Sequence, residues 1–375
     1  MQREFHWGPG LFLIVYHTLL AIFLPVYFYF FIPSWQIVLT TIVLYFITGI
    51  SITGGYHRLY SHRTYKTTPF VESIILFFAT LSGQGSALRW SFDHRLHHAH
   101  TDTDLDPYSI HKGFWYAHML WLFEKPIPID SKVVPDLLNN KRVMFQHNYY
   151  RRLFFGSNIL VFLFFGWILN DFIAAFIFVW WVRLFALHHS TWFINSLAHT
   201  WGDKPFCQEQ TAVNNYVLSF LTFGEGYHNY HHTFANDYRN GIRWYHFDPT
   251  KWSIWLLNKT GLAFDLRRVS EQTINKRMVL ESRGLLMNKL KEIWYVKKDE
   301  LEAKIQHLSE QMIEKISQFN QLKETYSQFK KQCVEKTTLV QLKTEMRSLR
   351  ESLRSDWRHW RNLSKYILKL QPIET

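Results

Sequence analysis

Three short stretches concentrate histidine in spacings that suit metal ligation: His57 and His62 within HRLYSH, His94, His97 and His98 within HRLHH, and His228, His231 and His232 within HNYHH. On a helix, positions i, i+3 and i+4 stack on one face. The spacing therefore predicts that His94, His97 and His98 converge on one point, and that His228, His231 and His232 do the same. His57 and His62 are five apart, which suits the less regular end of a helix. Asn195 and His199 are again i, i+4. Imidazole is the commonest biological metal ligand and suits iron, copper and zinc. Eight histidines in three boxes, with His199, are too many for one tetrahedral zinc. Nine nitrogens would fill two metals with four or five each, leaving positions for oxygen or water. The two cysteines, Cys207 and Cys333, lie far apart, which excludes thiolate-bound iron, a cysteine zinc site and a disulfide scaffold.

One HxxHH alone carries little weight; three boxes within reach of one membrane face point to a metal centre. The other histidines read as ordinary residues. His6, His17, His111, His118, His147, His246, His307 and His359 are expected on the surface or packed. His188 and His189 fall near the site but out of phase with His199. His100 is open between a surface position and a supporting one.

The elements that must hold these boxes are apolar. Aromatics make up 18% of the 375 residues and hydrophobics 47%, with charged residues at 19%, below the usual quarter. Residues 10–32 carry no formal charge and are long enough to cross ~30 Å of hydrocarbon. Residues 35–52 form a second span after Pro33-Ser34. Residues 153–169 and 172–187 form another pair about Asn170-Asp171. No small-residue cleavage site follows the first span, so it reads as an anchor. Two hairpins put both termini and the loop between them on one side. That loop, residues 57–152, carries about 12 Lys/Arg and the hairpin turns carry none. The excess of basic residues places loop, histidines and termini in the cytoplasm. Residues 69–88 are a fifth apolar stretch, interrupted by Glu72, Gln84 and Ser86. A fifth span would separate the histidines across the membrane, so an interfacial or re-entrant helix is expected there.

The mean hydropathy of -0.15 averages two unlike regions. Residues 1–264 form the aromatic, membrane-embedded domain; residues 265–375 form a basic, polar extension. The extension holds about 23 Lys/Arg against 15 Asp/Glu, and so supplies two thirds of the +12 net charge. Apolar residues recur there at three and four from Leu301 to Cys333, and again from Leu339 to Trp360. This predicts coiled-coil-like helices with a turn at 335–338, folded on themselves or dimerising the chain. Arg347, Arg350, Arg354, Arg358 and Arg361 line a basic face that suits solvent or anionic lipid headgroups. Nucleic acid is not an expected partner.

Taken jointly, GGYHRLYSHRTYKT, GQGSALRWSFDHRLHHAHTDTDLDPYS, NSLAHTWG and GEGYHNYHHTF resemble the membrane-bound fatty acyl desaturases of the acyl-CoA delta-9 (stearoyl-CoA) type, over residues 10–265. The resemblance implies an all-α membrane fold with four transmembrane helices and a cytoplasmic cap. It implies two irons held by His57, His62, His94, His97, His98, His199, His228, His231 and His232, with Asn195 acting through a water. It also implies a bent acyl tunnel beside Gln84, Trp90 and Thr191. The expected reaction is O2-dependent insertion of a cis double bond into a saturated C16–C18 chain. Asp93, Asp102, Asp104, Asp106 and Glu225 are candidates to orient the imidazoles. Where animal members carry a carrier-binding Arg, this chain has Phe92; Lys125 is the loose match to a later carrier contact. The expected carrier is coenzyme A, with acyl carrier protein or phospholipid as alternatives. The sequence holds no HPGG haem motif, so cytochrome b5 or ferredoxin with its reductase is expected to supply electrons. A hydroxylase or phospholipid desaturase on the same scaffold is the nearer rival. A histidine-rich metal transporter or scaffold is the remote one, because the spans nearly lack polar residues to line a path.

Overall fold

Small polar residues set where the helices begin. Side-chain oxygens of Ser34, Thr68, Ser86, Asn140, Asp171, Asp248 and Ser270 each accept a backbone N–H of the turn that follows, satisfying donors that a helix start leaves bare. A computed structural model describes residues 4–293, 296–333 and 335–371. They form two compact units, one of Met1–Lys204 with Glu209–Arg268, the other of Pro205–Gln208 with Val269–Thr375.

In the first unit, four helices are long and apolar enough to cross a membrane: α1 (Trp7–Phe30), α2 (Trp35–Ser61), and further on Lys141–Ile168 and Phe172–His199. The expected four spans are present, and three exceed their apolar runs. The second continues through Ser51–Ser61 as a π-helix. The third starts twelve residues before 153, and the fourth runs on to His199. Polar ends thus carry the helices beyond the hydrocarbon and into the histidine region. The stretch 69–88 breaks in two. Helix α3 (Pro69–Leu81) has 13 residues, too few to span, and α4 (Ala87–His100) begins after a tight turn. Gly83 and Gly85 hold that turn at φ +67° and +87°, a region costly for other residues.

A short helix α5 (Phe114–His118) precedes the long pair, here α6 (Lys141–Ile168) and α7 (Phe172–His199). Two further helices, α8 (His228–Thr233) and α9 (Pro249–Lys259), follow them. The two-residue strands Lys66–Thr67 and Ala263–Phe264 pair antiparallel, Lys66 opposite Phe264. The core between α2, α3 and α4 buries Ile52, Tyr56, Leu76, Leu88 and Phe92. Phe92 is 1% exposed, so it packs and offers nothing at the surface.

Among its described residues the second unit contains three helices: α10 (Glu271–Lys291), α11 (Lys298–Lys331) and α12 (Lys336–Lys369). Both predicted stripes are helical. The turn comes earlier than 335–338: α11 stops at Lys331, and Cys333 takes φ +54°. Helix α10 was not legible as part of this packing, because its mixed polar sequence shows no regular stripe. The core holds Val279, Leu286, Ile305, Met312, Trp360 and Ile367. Lys315 ties α11 to α12 through Asp356 and Ser352, both at 2.7 Å. The segment 205–208 belongs here, since Arg277 donates to the Phe206 carbonyl at 2.9 Å.

Candidate metal centre

Nine buried or half-buried histidines converge as two groups. His57, His62, His94, His98 and His231 form one; His97, His199, His228 and His232 form the other. Within each, one ring nitrogen per residue lies within 4.8 Å of all the others. The register prediction needs one correction. His94 and His98 stay together, as do His228 and His232, but His97 and His231 cross to the opposite group. Neighbours at i, i+4 differ by about 40° around a helix, whereas i, i+1 differ by about 100°. Adjacent histidines therefore face apart, and each helix serves both groups. His57 and His62 fall together because the π-helix closes i to i+5 turns: the His62 N–H donates to the His57 carbonyl at 3.1 Å.

The outer ring nitrogens fix which way the lone pairs point. His57 donates Nδ1–H to Glu225 at 3.0 Å, and His97 donates Nδ1–H to Asp106 at 2.9 Å. Burial alone would raise both carboxyls; the His57 and Arg58 neighbours of Glu225, and the His97 neighbour of Asp106, hold them below the usual range. His94 Nδ1 meets the Tyr108 hydroxyl at 3.2 Å. His199 Nδ1 lies 2.7 Å from Thr211 Oγ1, whose own proton goes to Asp102, so Nδ1 donates here as well.

The four-histidine group then has too few protons. Its Nε2 atoms touch in series, His97 to His232 at 3.3 Å, His232 to His228 at 3.0 Å, His228 to His199 at 3.1 Å. Nε2 of His97 and His199 are bare lone pairs, so only His228 and His232 could donate. Three contacts cannot share two protons. If those two did carry Nε2–H, their Nδ1 atoms would also stay bare, and both are buried without a partner. A cation among the lone pairs resolves every contact, so these residues fit a metal. Burial foremost, then the crowding of other imidazoles, pushes protonation of His62, His94, His98, His228, His231 and His232 well below the usual histidine range. Neutral imidazole is the form that ligates.

Behind the first histidine box, Arg58 is fully buried between Glu225 at 2.8 Å and Asp248 at 3.0 Å. Gly224 makes this possible: at φ +101° a Cβ would come within 2.5 Å of Asp248 Oδ1.

A cavity of about 1010 Å³ reaches the histidines. Gln84, Trp90, Thr191 and Asn195 all line it, with His57, His94, His97 and His228 at its deep end. Gln84 donates to Thr191 Oγ1 at 2.9 Å across the cavity wall, and Trp90 stacks on His94 with centroids 4.9 Å apart. Other candidates go elsewhere. The Lys125 ammonium pairs with Glu4 and is not among the lining residues. Asp93 pairs with Arg89, and Asp104 is exposed. Asp102 acts only through Thr211. His100 belongs to neither group. His17, His118 and His189 pack as a hydrogen-bonded chain of their own, 3.1 to 3.2 Å apart. Tyr108, Thr211 and Arg58 were missed as supports. Tyr108 stood beside Asp106 in the DPYS stretch, but Thr211 lies in a loop with no pattern to mark it.

Comparison with known proteins agrees with this geometry. The chain is 41% identical over 248 residues to a protein of Schizosaccharomyces pombe named probable acyl-CoA desaturase, covering 65% of this chain and 52% of that one. It is 38% identical over 257 residues to acyl-CoA desaturase 1 of Saccharomyces cerevisiae, covering 68% and 50%. It thus spans about half the length of these two relatives. Against the sn-2 palmitoyl-lipid 9-desaturase of Nostoc it is 37% identical over 267 residues, 69% of this chain and 90% of that one. The fatty acid desaturase sequence model matches residues 33–264, which include all nine histidines, and the chain belongs to that family.

Proposed function

We propose that this protein is an oxygen-dependent acyl-CoA desaturase that places a cis double bond, at the delta-9 position, in a saturated C16–C18 chain. The observation that carries the reading is the single cavity running from an exposed mouth past Gln84, Trp90 and Thr191 to both histidine groups. The reaction converts –CH2–CH2– and O2, with two electrons and two protons, to –CH=CH– and two waters. Two irons, held by the five- and four-histidine groups with Asn195 beside them, would supply the O2 activation and hydrogen removal that no side chain provides.

The chain's own residues position the substrate. Successive methylenes are chemically alike, so the wall must choose between them. Gln84 and Thr191, hydrogen-bonded to each other, form a polar brace in the wall, and Trp90, lining the same cavity, stacks on His94. They fix the bend and so the two carbons presented to the metals. Glu225 and Asp106 keep His57 and His97 in the ligating tautomer. Electrons would come from a donor such as cytochrome b5 or ferredoxin. Loops and termini face the cytoplasm, and residues 1–264 carry the activity.

A lipid-linked acyl chain is the second reading, favoured by the Nostoc relative named as a lipid desaturase. Expression in a desaturase-deficient cell, with iron and a reductase, tests both. A new delta-9 monoene is expected; no new unsaturated product would refute the proposal.

A further inference from the structure

The exposed lining of the cavity lies mostly on one stretch of α6: Asn148, Tyr149, Arg151, Arg152 and Phe155, with Gly8 of α1 and Pro126 beside them. The cavity's other end is closed by the buried histidines. A ligand whose chain reaches those histidines must leave its head beside this stretch of α6.

The charges there are not balanced. Arg89 is engaged by Asp93 and the Ile127 carbonyl. Arg151 and Arg152 have no carboxylate within 4.0 Å among the described residues. His147 precedes Arg151 by four residues and shares its face. Ser86 Oγ accepts from Arg89 N and is hydrogen-bonded to His147 Nδ1 at 2.7 Å. The other ring nitrogen of His147, Nε2, takes no part in that bond. His6, also lining the cavity, resists protonation, first through burial and then through Arg151, Arg89 and Lys125. Glu124 and Asp93 also line the cavity, so this side sets three arginines, Arg89, Arg151 and Arg152, against two carboxylates and is net positive with forked donors.

We propose that Arg151 and Arg152, assisted by His147, bind the phosphate of the acyl carrier and so hold the chain's head at the mouth. This rests on the desaturase reading above. Guanidinium offers paired N–H donors that match phosphate oxygens two at a time. The apolar run of α6 begins at Leu153, so the two arginines stand at the level where headgroups or a soluble carrier would lie. Phosphate is common to an acyl-CoA and to a glycerophospholipid, and the substrates below separate them.

The test uses the full chain in lipid nanodiscs as wild type, Arg151→Gln/Arg152→Gln and Arg151→Lys/Arg152→Lys. Palmitoyl-CoA and dipalmitoyl phosphatidylglycerol are the substrates. The Gln pair should raise KM for one of them about tenfold or more while kcat stays within about twofold, and the Lys pair should recover part of the loss. A rise for palmitoyl-CoA assigns a soluble thioester; a rise for the lipid assigns a membrane-linked chain. Unchanged KM for both, or a fall in kcat at unchanged KM, overturns the proposal; simple anchoring at the membrane interface predicts that result. If wild type makes no product, the desaturase reading fails, but equilibrium binding of palmitoyl-CoA and of the phosphatidylglycerol still decides. Equal affinity for wild type and the Gln pair overturns the subsite, and weaker binding by the Gln pair supports it.

Discussion

The Glu225 carboxylate receives the Nδ1–H of His57 at 3.0 Å and is itself held by the Arg58 guanidinium at 2.8 Å. A metal-facing nitrogen is thereby set by a carboxylate 168 residues later in the chain. Glu225→Gln keeps the shape but removes the charge that orients His57, and leaves Arg58 with Asp248 as its one paired carboxylate. Metal affinity should fall about 10- to 100-fold. Iron retained after dialysis against a graded chelator measures it. Asp106→Asn should act in the same way through His97; unchanged retention in both would refute these roles.

The two groups predict separate losses. His98→Ala or His231→Ala should remove a metal from the five-histidine group, and His228→Ala or His232→Ala from the four-histidine group. Each should lower bound iron from two toward one per chain and abolish product, while the protein still inserts in the membrane. Elemental analysis with product assay checks this. Full iron content in all four variants would contradict the partition.

Loss of the polar brace should blur the product without stopping the chemistry. Thr191→Val leaves Gln84 without its 2.9 Å acceptor in the cavity wall. The chain's bend then has less definition, and double bonds should appear at neighbouring positions. Mass spectrometry of derivatised fatty acids locates them. A single position at wild-type rate would show that the brace does not select the carbons.

Acid should weaken the cap through His118. This side chain packs between Phe114 and Phe193, and burial lowers its pKa to about 4. The unfolded chain titrates near 6.5. Between these values, falling pH protonates the unfolded state and not the folded one, so stability declines from about pH 6.5 down to about pH 4. His118→Phe removes this component. Its Tm should be lower than wild type at pH 7.5, with the gap narrowing as pH falls through that window. Parallel Tm curves would refute the assignment.

The extension should be destabilised from within. Trp360 is 2% exposed and donates to Ser282 at 3.1 Å, joining α12 to α10. Trp360→Ala should cost about 3–5 kcal/mol by cavity formation. Limited proteolysis of the full chain should then cleave between residues 269 and 371. Resistance equal to wild type would mean that Trp360 does not hold these helices together.

Length, hydropathy and histidine spacing declared four spans, a metal-binding residue set and a helical extension from sequence alone. Those features depend on local chain geometry: 3.6 residues per turn and 1.5 Å per residue convert spacing directly into faces and lengths. The i, i+4 pairs His94/His98 and His228/His232 were legible for that reason. Two groups of four or five were expected, but which histidines join which group was not legible. His97 and His98 are neighbours in sequence yet serve different groups, because which histidine another helix meets is decided by how the helices cross. The same holds for Glu225 on His57, Thr211 and Asp102 behind His199, and Lys125 drawn to Glu4 and away from the cavity. The amino-acid sequence determined which chemistry the chain can hold; tertiary packing decided which lone pairs share a point, because distances between remote residues are set by the burial of whole helices and not by spacing along any one of them.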